Sequence, residues 1–224
     1  MKKISTFLIG LIFTCSYSQI AIIKDKDGYT NVRKSSLKDT KIIYKLKENE
    51  AFWYNYDDYE EKKNWIQVFI PKDKFCVDYS EDMYLKGYIH KSRLLPIEYL
   101  KNSHQKEVQL HYEFKGFNRT NHIDDGNGYL VNKIDGRKIW GTDGNYPKRE
   151  IKKANLIVNN TRINIHKVLY NDLYECNENI KVYKNKDSYF IKQQHGDGSG
   201  AYELIWVLTE KNGITQRLVQ DISK

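Results

Sequence analysis

Apolar residues along this chain fall in short runs of four to eight, alternating or β-branched, and few stretches keep a helical period. Residues Val108 to Phe114 alternate cleanly, so Val108, Leu110, Tyr112 and Phe114 share one face of a strand. Further strands are expected over Tyr29 to Arg33, with Val32 pointing inward, and over Ile42 to Leu46, Glu50 to Tyr56, Asn64 to Ile70 and Gly87 to His90. The acidic and basic residues from Asp57 to Asn64 read as a hairpin tip. In the second half, Asn155 to Val158 and Arg162 to Ile165 flank Asn159, Asn160 and Thr161, a turn signal because asparagine tolerates the left-handed conformation. Ser188 to Gln194 and Ala201 to Leu208 surround a glycine-rich connection, and Lys211 to Gly213 turns into Ile214 to Val219. Residues Val168 to Tyr174 suggest one short helix. Gly, Asn and Asp punctuation and 18 tyrosines suit strands joined by tight turns. The expected fold is all-β: a small barrel followed by an antiparallel sandwich or meander.

Two segments carry a resemblance. Asp25 to Arg33 (DKDGYTNVR) and Gly87 to Leu94 (GYIHKSRL) are similar to the opening and closing strands of bacterial SH3-like domains. A tryptophan at the start of the fourth strand, Trp65, and the pair Gly87-Tyr88 at the fifth follow the same order. The resemblance covers about residues 20–97 and implies a small barrel used for docking rather than chemistry. Where the family usually has a short turn, Pro71 to Lys86 intervene. This long loop carries Phe75, Val77, Tyr79, Met83, Tyr84 and Leu85 and is expected to pack on the second domain or over the barrel mouth. Pro96 disfavours helix before it, and the polar stretch that follows places a linker at 98–107, ahead of a β-rich domain of no recognised family at 108–224.

Residues 1–18 look like a signal peptide: two lysines, an apolar core from Phe7 to Phe13, and small residues at Ser16 and Ser18. The stretch is too short for a membrane span of about 20 residues. Export with a mature start near Gln19 is the expectation, with lipidation at Cys15 as the competing one. Removing that segment lowers the formal charge from +8 to +6. The remaining surplus lies in residues 101–224, which hold 20 Lys and Arg against 15 Asp and Glu. Such a field suits anionic envelope polymers rather than nucleic acid, and equally a solvated face.

Chemistry has little support in the sequence. After removal of the leader only Cys76 and Cys176 remain, and neither precedes a helix as a nucleophile would. They either pair in an oxidising compartment or stay as free buried thiols. The histidines lack zinc-site spacing, so neither metal nor cofactor is expected. His195 and Asp197 sit in the glycine-rich connection from His195 to Tyr202, which reads as a hairpin loop or as an anion cradle. Asp25 to Gly28 reads as a turn, because Ser36 stands where a calcium loop needs glutamate.

The favoured function is therefore a non-enzymatic binding protein of the cell envelope. A cell-wall peptide or glycan, or another envelope protein, would lie against Trp53, Tyr54, Tyr56 and Tyr88, although strand alternation sends half of such rings into the core. A secreted inhibitor or immunity-type protein is the second reading. An atypical cell-wall hydrolase using His195 and Asp197 is the third.

Overall fold

The computed structural model describes residues 19–37, 40–77, 82–103, 107–126, 128, 130–196 and 198–222. The expected signal segment lies outside them. The fold is all-β. In the first half, β1 (Gln19–Ile23), β2 (Tyr29–Arg33), β3 (Ile42–Lys47), β4 (Phe52–Tyr54), β5 (Trp65–Pro71), β6 (Tyr84–His90) and β7 (Leu94–Pro96) form one antiparallel sheet. Its order is β3-β2-β6-β5-β4-β1-β7, with no pairing that closes it into a ring among the described residues. Leu46 of β3 and Leu94 of β7 nevertheless belong to the same buried cluster as Val32, Phe52, Ile66 and Ile89, so the sheet curls around one core. Gly87 makes that curl possible. A Cβ there would stand 2.4 Å from Val32 Cγ1 and 3.0 Å from the Arg33 carbonyl oxygen.

Two local outcomes differ from the sequence pattern. The strand expected over 50–56 stops at Tyr54, because the Asn55 side chain accepts the Asp58 N–H (3.2 Å) and caps a short helix, α1 (Tyr56–Glu60). Asp57 and Asp58 in its first turn suit the positive end of the helix. The strand β1 was not expected from the sequence, where it follows the stretch set apart as an expected signal segment. It pairs with both β4 and β7.

The second half contains β8 (Lys101–Asn102), β9 (Val108–Gly116), β10 (Lys133–Ile134), β11 (Arg137–Lys138), β12 (Arg149–Val158) and β13 (Thr161–Asn164). It continues with β14 (Lys181–Asn185), β15 (Ser188–His195), β16 (Tyr202–Thr209) and β17 (Gly213–Asp221). A three-stranded sheet, β13-β12-β9, and a five-stranded sheet, β17-β16-β15-β14-β8, share a core that includes Tyr112, Leu156, Ile191, Leu204 and Trp206. The β12–β13 turn uses positive φ at Asn159 and Asn160. The start of β12 is rich in lysine and arginine, and there Lys152 meets Glu113 across the ladder at 2.5 Å. Instead of a helix at 168–174 there is one 3-10 turn, Lys167–Leu169, after which Leu173 and Tyr174 make isolated bridges to Trp140 and Glu150.

The two halves pack together. Alternate residues of the five-stranded sheet, among them Phe190, Ile205, Val207 and Leu218, meet Ile20, Ile22, Ala51, Trp53 and Ile97 of the first half. That sheet is thus covered on both faces, which explains why every residue from Tyr202 to Leu208 is buried. Gln216 reinforces the contact by reaching across to Ala51: its Nε2 donates to the carbonyl (2.8 Å) and its Oε1 accepts the N–H (2.9 Å). Within the expected linker, Lys101 and Asn102 form β8 and pair with β14, while 104–106 lie outside the described residues.

Candidate binding cleft

The long loop after β5 is clamped onto the second half and contributes Met83 to the lining of a cleft. Arg217 is wholly buried on β17. Its backbone N–H donates to the Lys74 carbonyl (2.9 Å), and its Nη1 donates to the carbonyls of Phe75 and Cys76 (3.2 Å each). Its Nη2 takes both oxygens of Asp172, at 3.0 and 2.9 Å. Arg137 on β11 completes the clamp, donating to the Val77 carbonyl through Nε and Nη2 and to Asp172 Oδ2 (3.0 Å). The described part of the loop therefore packs on the second half, as its apolar content predicts, with Cys76 and Met83 in that half's core. Residues 78–81, including Tyr79, lie outside the description.

Beside this clamp is a cavity of about 260 Å³ between the halves. Trp53, Tyr54, Phe69 and Tyr84 line it from the first half, and Lys138 and Trp140 from the second. Tyr84 is tied across the boundary by its hydroxyl, which donates to the Val219 carbonyl (3.0 Å). The Lys138 ammonium lies 4.0 Å from the centroid of the Trp140 ring. Trp53 Nε1 is buried and has no hydrogen-bond partner among the described residues, leaving one donor of the wall unsatisfied. The site thus has aromatic walls, a cation, and polar ends supplied by Gln19, Gln220 and Asp221.

A ledge of tyrosines continues from Tyr54. Tyr59 meets it edge-on at 5.5 Å, and burial, followed by the neighbouring Tyr99, raises the pKa of Tyr59. Tyr99 is 69% exposed and Tyr56 40%. Burial, followed by the nearby Glu98 carboxylate, raises the pKa of Tyr54, so its hydroxyl stays neutral and able to donate. On Tyr56 the chief cause of an upward shift is its hydrogen bond to Glu60.

The four aromatic residues singled out from sequence have different fates. Trp53 and Tyr54 are buried and line the cleft, Tyr56 is exposed on the ledge, and Tyr88 is half-buried on β6 outside the cleft. Trp140 and Lys138 were not singled out as site residues, and Tyr84 only as part of the long loop, since only the tertiary meeting of the halves brings them to Trp53.

His195 is a core residue. It is 1% exposed, its Nδ1 accepts the Asn177 N–H (3.2 Å), and its ring packs near Tyr112 and Tyr202. Burial lowers its pKa to about 4, so the ring is neutral at pH 7. Asp197 lies outside the described residues. The neighbouring glycines serve close packing of two loops: a Cβ on Gly200 would stand 2.9 Å from the Thr142 backbone, and one on Gly141 2.1 Å from the Tyr174 carbonyl oxygen. Cys76 and Cys176 do not form the considered disulfide. Both are buried and free, Cys176 Sγ lying 3.0 Å from the Tyr202 hydroxyl and Cys76 Sγ 3.5 Å from the Asp73 carbonyl oxygen. The described residues contain no cluster of His, Cys, Asp and Glu able to hold a metal ion.

A second charged group escaped the sequence reading. His122 stands between Asp135 (Nδ1 to Oδ2, 2.8 Å) and the buried Glu150 (Nε2 to Oε1, 3.4 Å), stacked on Phe117, and Lys115 also reaches Glu150 at 3.0 Å. These groups satisfy one another and join His122 and Asp135 to β12. Comparison with family models, with curated proteins and with solved structures returned no match.

Proposed function

We propose that this chain is an exported, non-enzymatic binding protein of the bacterial cell envelope, with an SH3-like first half, and that the cleft between its halves holds a cell-wall peptide or glycan strand. The carrying observation is the continuity of the aromatic cleft with the tyrosine ledge. Aromatic side chains supply large contact area at low entropic cost, and an open ledge suits an extended ligand better than a compact one. Lys138 and Asp221 add charge of both signs, as a peptide or amino-sugar polymer would require. Support for the SH3-like reading comes from the two motif segments, which occupy neighbouring strands, and from the steric need for Gly87 between them.

The test is co-sedimentation with purified insoluble peptidoglycan. The protein is expected to sediment with the polymer, and Tyr99→Ala and Trp140→Leu to weaken retention about tenfold, an interface-anchor effect of about 1.4 kcal/mol. Tyr99 is exposed, so its variant leaves folding intact. No retention of the unaltered protein, or equal retention of both variants, would overturn the assignment.

A further inference from the structure

We propose a second site, separate from the cleft, that binds a carboxylate in a groove on the first half. The groove encloses about 400 Å³. No residue lines both it and the cleft. One wall comes from the segment Asp25 to Arg33 and the other from His90 to Arg93, so the two stretches of sequence most distinctive in the first half meet here. Trp65 on β5, the cross-strand partner of His90, completes the lining.

The geometry around Arg33 specifies the ligand. Its Nη1 donates to the Thr40 carbonyl (3.0 Å), and its Cζ lies 5.8 Å from the centroid of the Trp65 ring. Trp65 is in turn held edge-on by His90, its cross-strand partner, at 5.6 Å. The guanidinium is therefore oriented before any ligand arrives. Among the described residues no carboxylate pairs with it. A planar fork whose remaining donors have no partner among the described residues matches a carboxylate through two parallel hydrogen bonds. The partly exposed indole offers an apolar face to whatever carries that carboxylate.

The acidic residues of the groove do not compete equally for Arg33. Asp25 accepts from Thr30 Oγ1 (2.8 Å) and is paired with Arg93 at 2.7 Å, so its charge is already matched. Asp27 stands exposed at the turn and is the one groove carboxylate without an ion pair among the described residues. It opposes an anionic ligand. On the other side, His90 Nδ1 accepts the Ser92 N–H (3.3 Å) and lies 2.8 Å from the Ser92 hydroxyl, which fixes the ring at the groove edge.

Two carboxylate sources fit this chemistry: a free peptide C-terminus and an acidic sugar. The experiment follows the Trp65 indole N–H by NMR while the full protein is titrated with acetyl-alanyl-alanine, its C-terminal amide, glucuronate and glucose. At least one acid is expected to shift the signal saturably, with its neutral counterpart about tenfold weaker, and the responding acid identifies the source. Arg33→Lys keeps the charge but removes the fork and is expected to weaken binding about tenfold, whereas Asp27→Asn strengthens it and Trp140→Leu in the cleft changes nothing. Equal response to acid and neutral compounds, no response to either acid, or undiminished binding by Arg33→Lys would overturn the proposal. Because Trp140→Leu leaves this signal alone, failure here and failure of the cleft assignment are separable.

Discussion

Arg217 shows how one residue can hold the loop after β5 onto the second half. It has no exposed surface, yet its guanidinium carries a full charge beside Asp172 and under the loop carbonyls. Removing the cation leaves Asp172 with Arg137 alone and leaves the carbonyls of Phe75 and Cys76 without their donor. Breaking one side of such a buried pair costs about 3–5 kcal/mol. Arg217→Met is therefore expected to lose about that much stability in urea unfolding, and a loss below about 1 kcal/mol would contradict the clamp. His195 makes a pH-dependent contribution. Its folded pKa of about 4 lies below the ordinary 6.5, so between these values the unfolded chain binds more protons. Stability should fall as pH drops from about 6.5 toward 4, by up to about 3 kcal/mol from this residue. His195→Gln should flatten that part of a Tm-versus-pH curve, and an unchanged slope would deny the burial. The thiols give a third check: burial raises Cys76 to about 11 and Cys176 to about 12. Both should resist alkylation in the native protein and react fully after unfolding without reductant.

At the scale of elements, the motif glycine is a packing device. Gly87 has negative φ, so its value lies in the missing side chain: β6 passes close to β2 where Val32 and Arg33 sit. Gly87→Ala forces the strands apart or displaces Val32, an overpacking cost of about 1–3 kcal/mol. Chemical denaturation measures it, and a neutral result would mean the strands can separate freely. Strand identity was largely legible because alternation survives wherever one face meets a core, as at Val108, Leu110 and Tyr112. The turn at Asn159 and Asn160 was legible for its own local reason. What misled was local competition: Asn55 turned an apparent strand into a helical turn, and the lysines at the start of β12 hid that it runs back from the expected Asn155 to Arg149. The cleft was half legible. Trp53 and Tyr54 stood out by residue type, but Trp140 and Lys138 reach them through contacts that no spacing in the chain records.

The halves of the whole molecule share an apolar boundary rather than a flexible hinge. Ile20, Ile22, Trp53 and Ile97 would be bare on an isolated first half, and Phe190, Ile205 and Leu218 on an isolated second. Inter-domain motion is the usual expectation only where such an interface is small or polar. Here the boundary also holds Gln216, which satisfies both backbone groups of Ala51. Gln216→Leu keeps the volume apolar but strands that N–H and C=O, each costing about 1–3 kcal/mol when buried without a partner. The full protein should therefore unfold in one transition by both calorimetry and tryptophan fluorescence, and Gln216→Leu should lower its midpoint while leaving it single. If the variant instead splits the transition, one half would be folding independently and the cleft could open as its two walls separate. A single, lowered transition means that the aromatic walls are held at fixed spacing, so a ligand enters a preformed site and its affinity is not reduced by the cost of closing one.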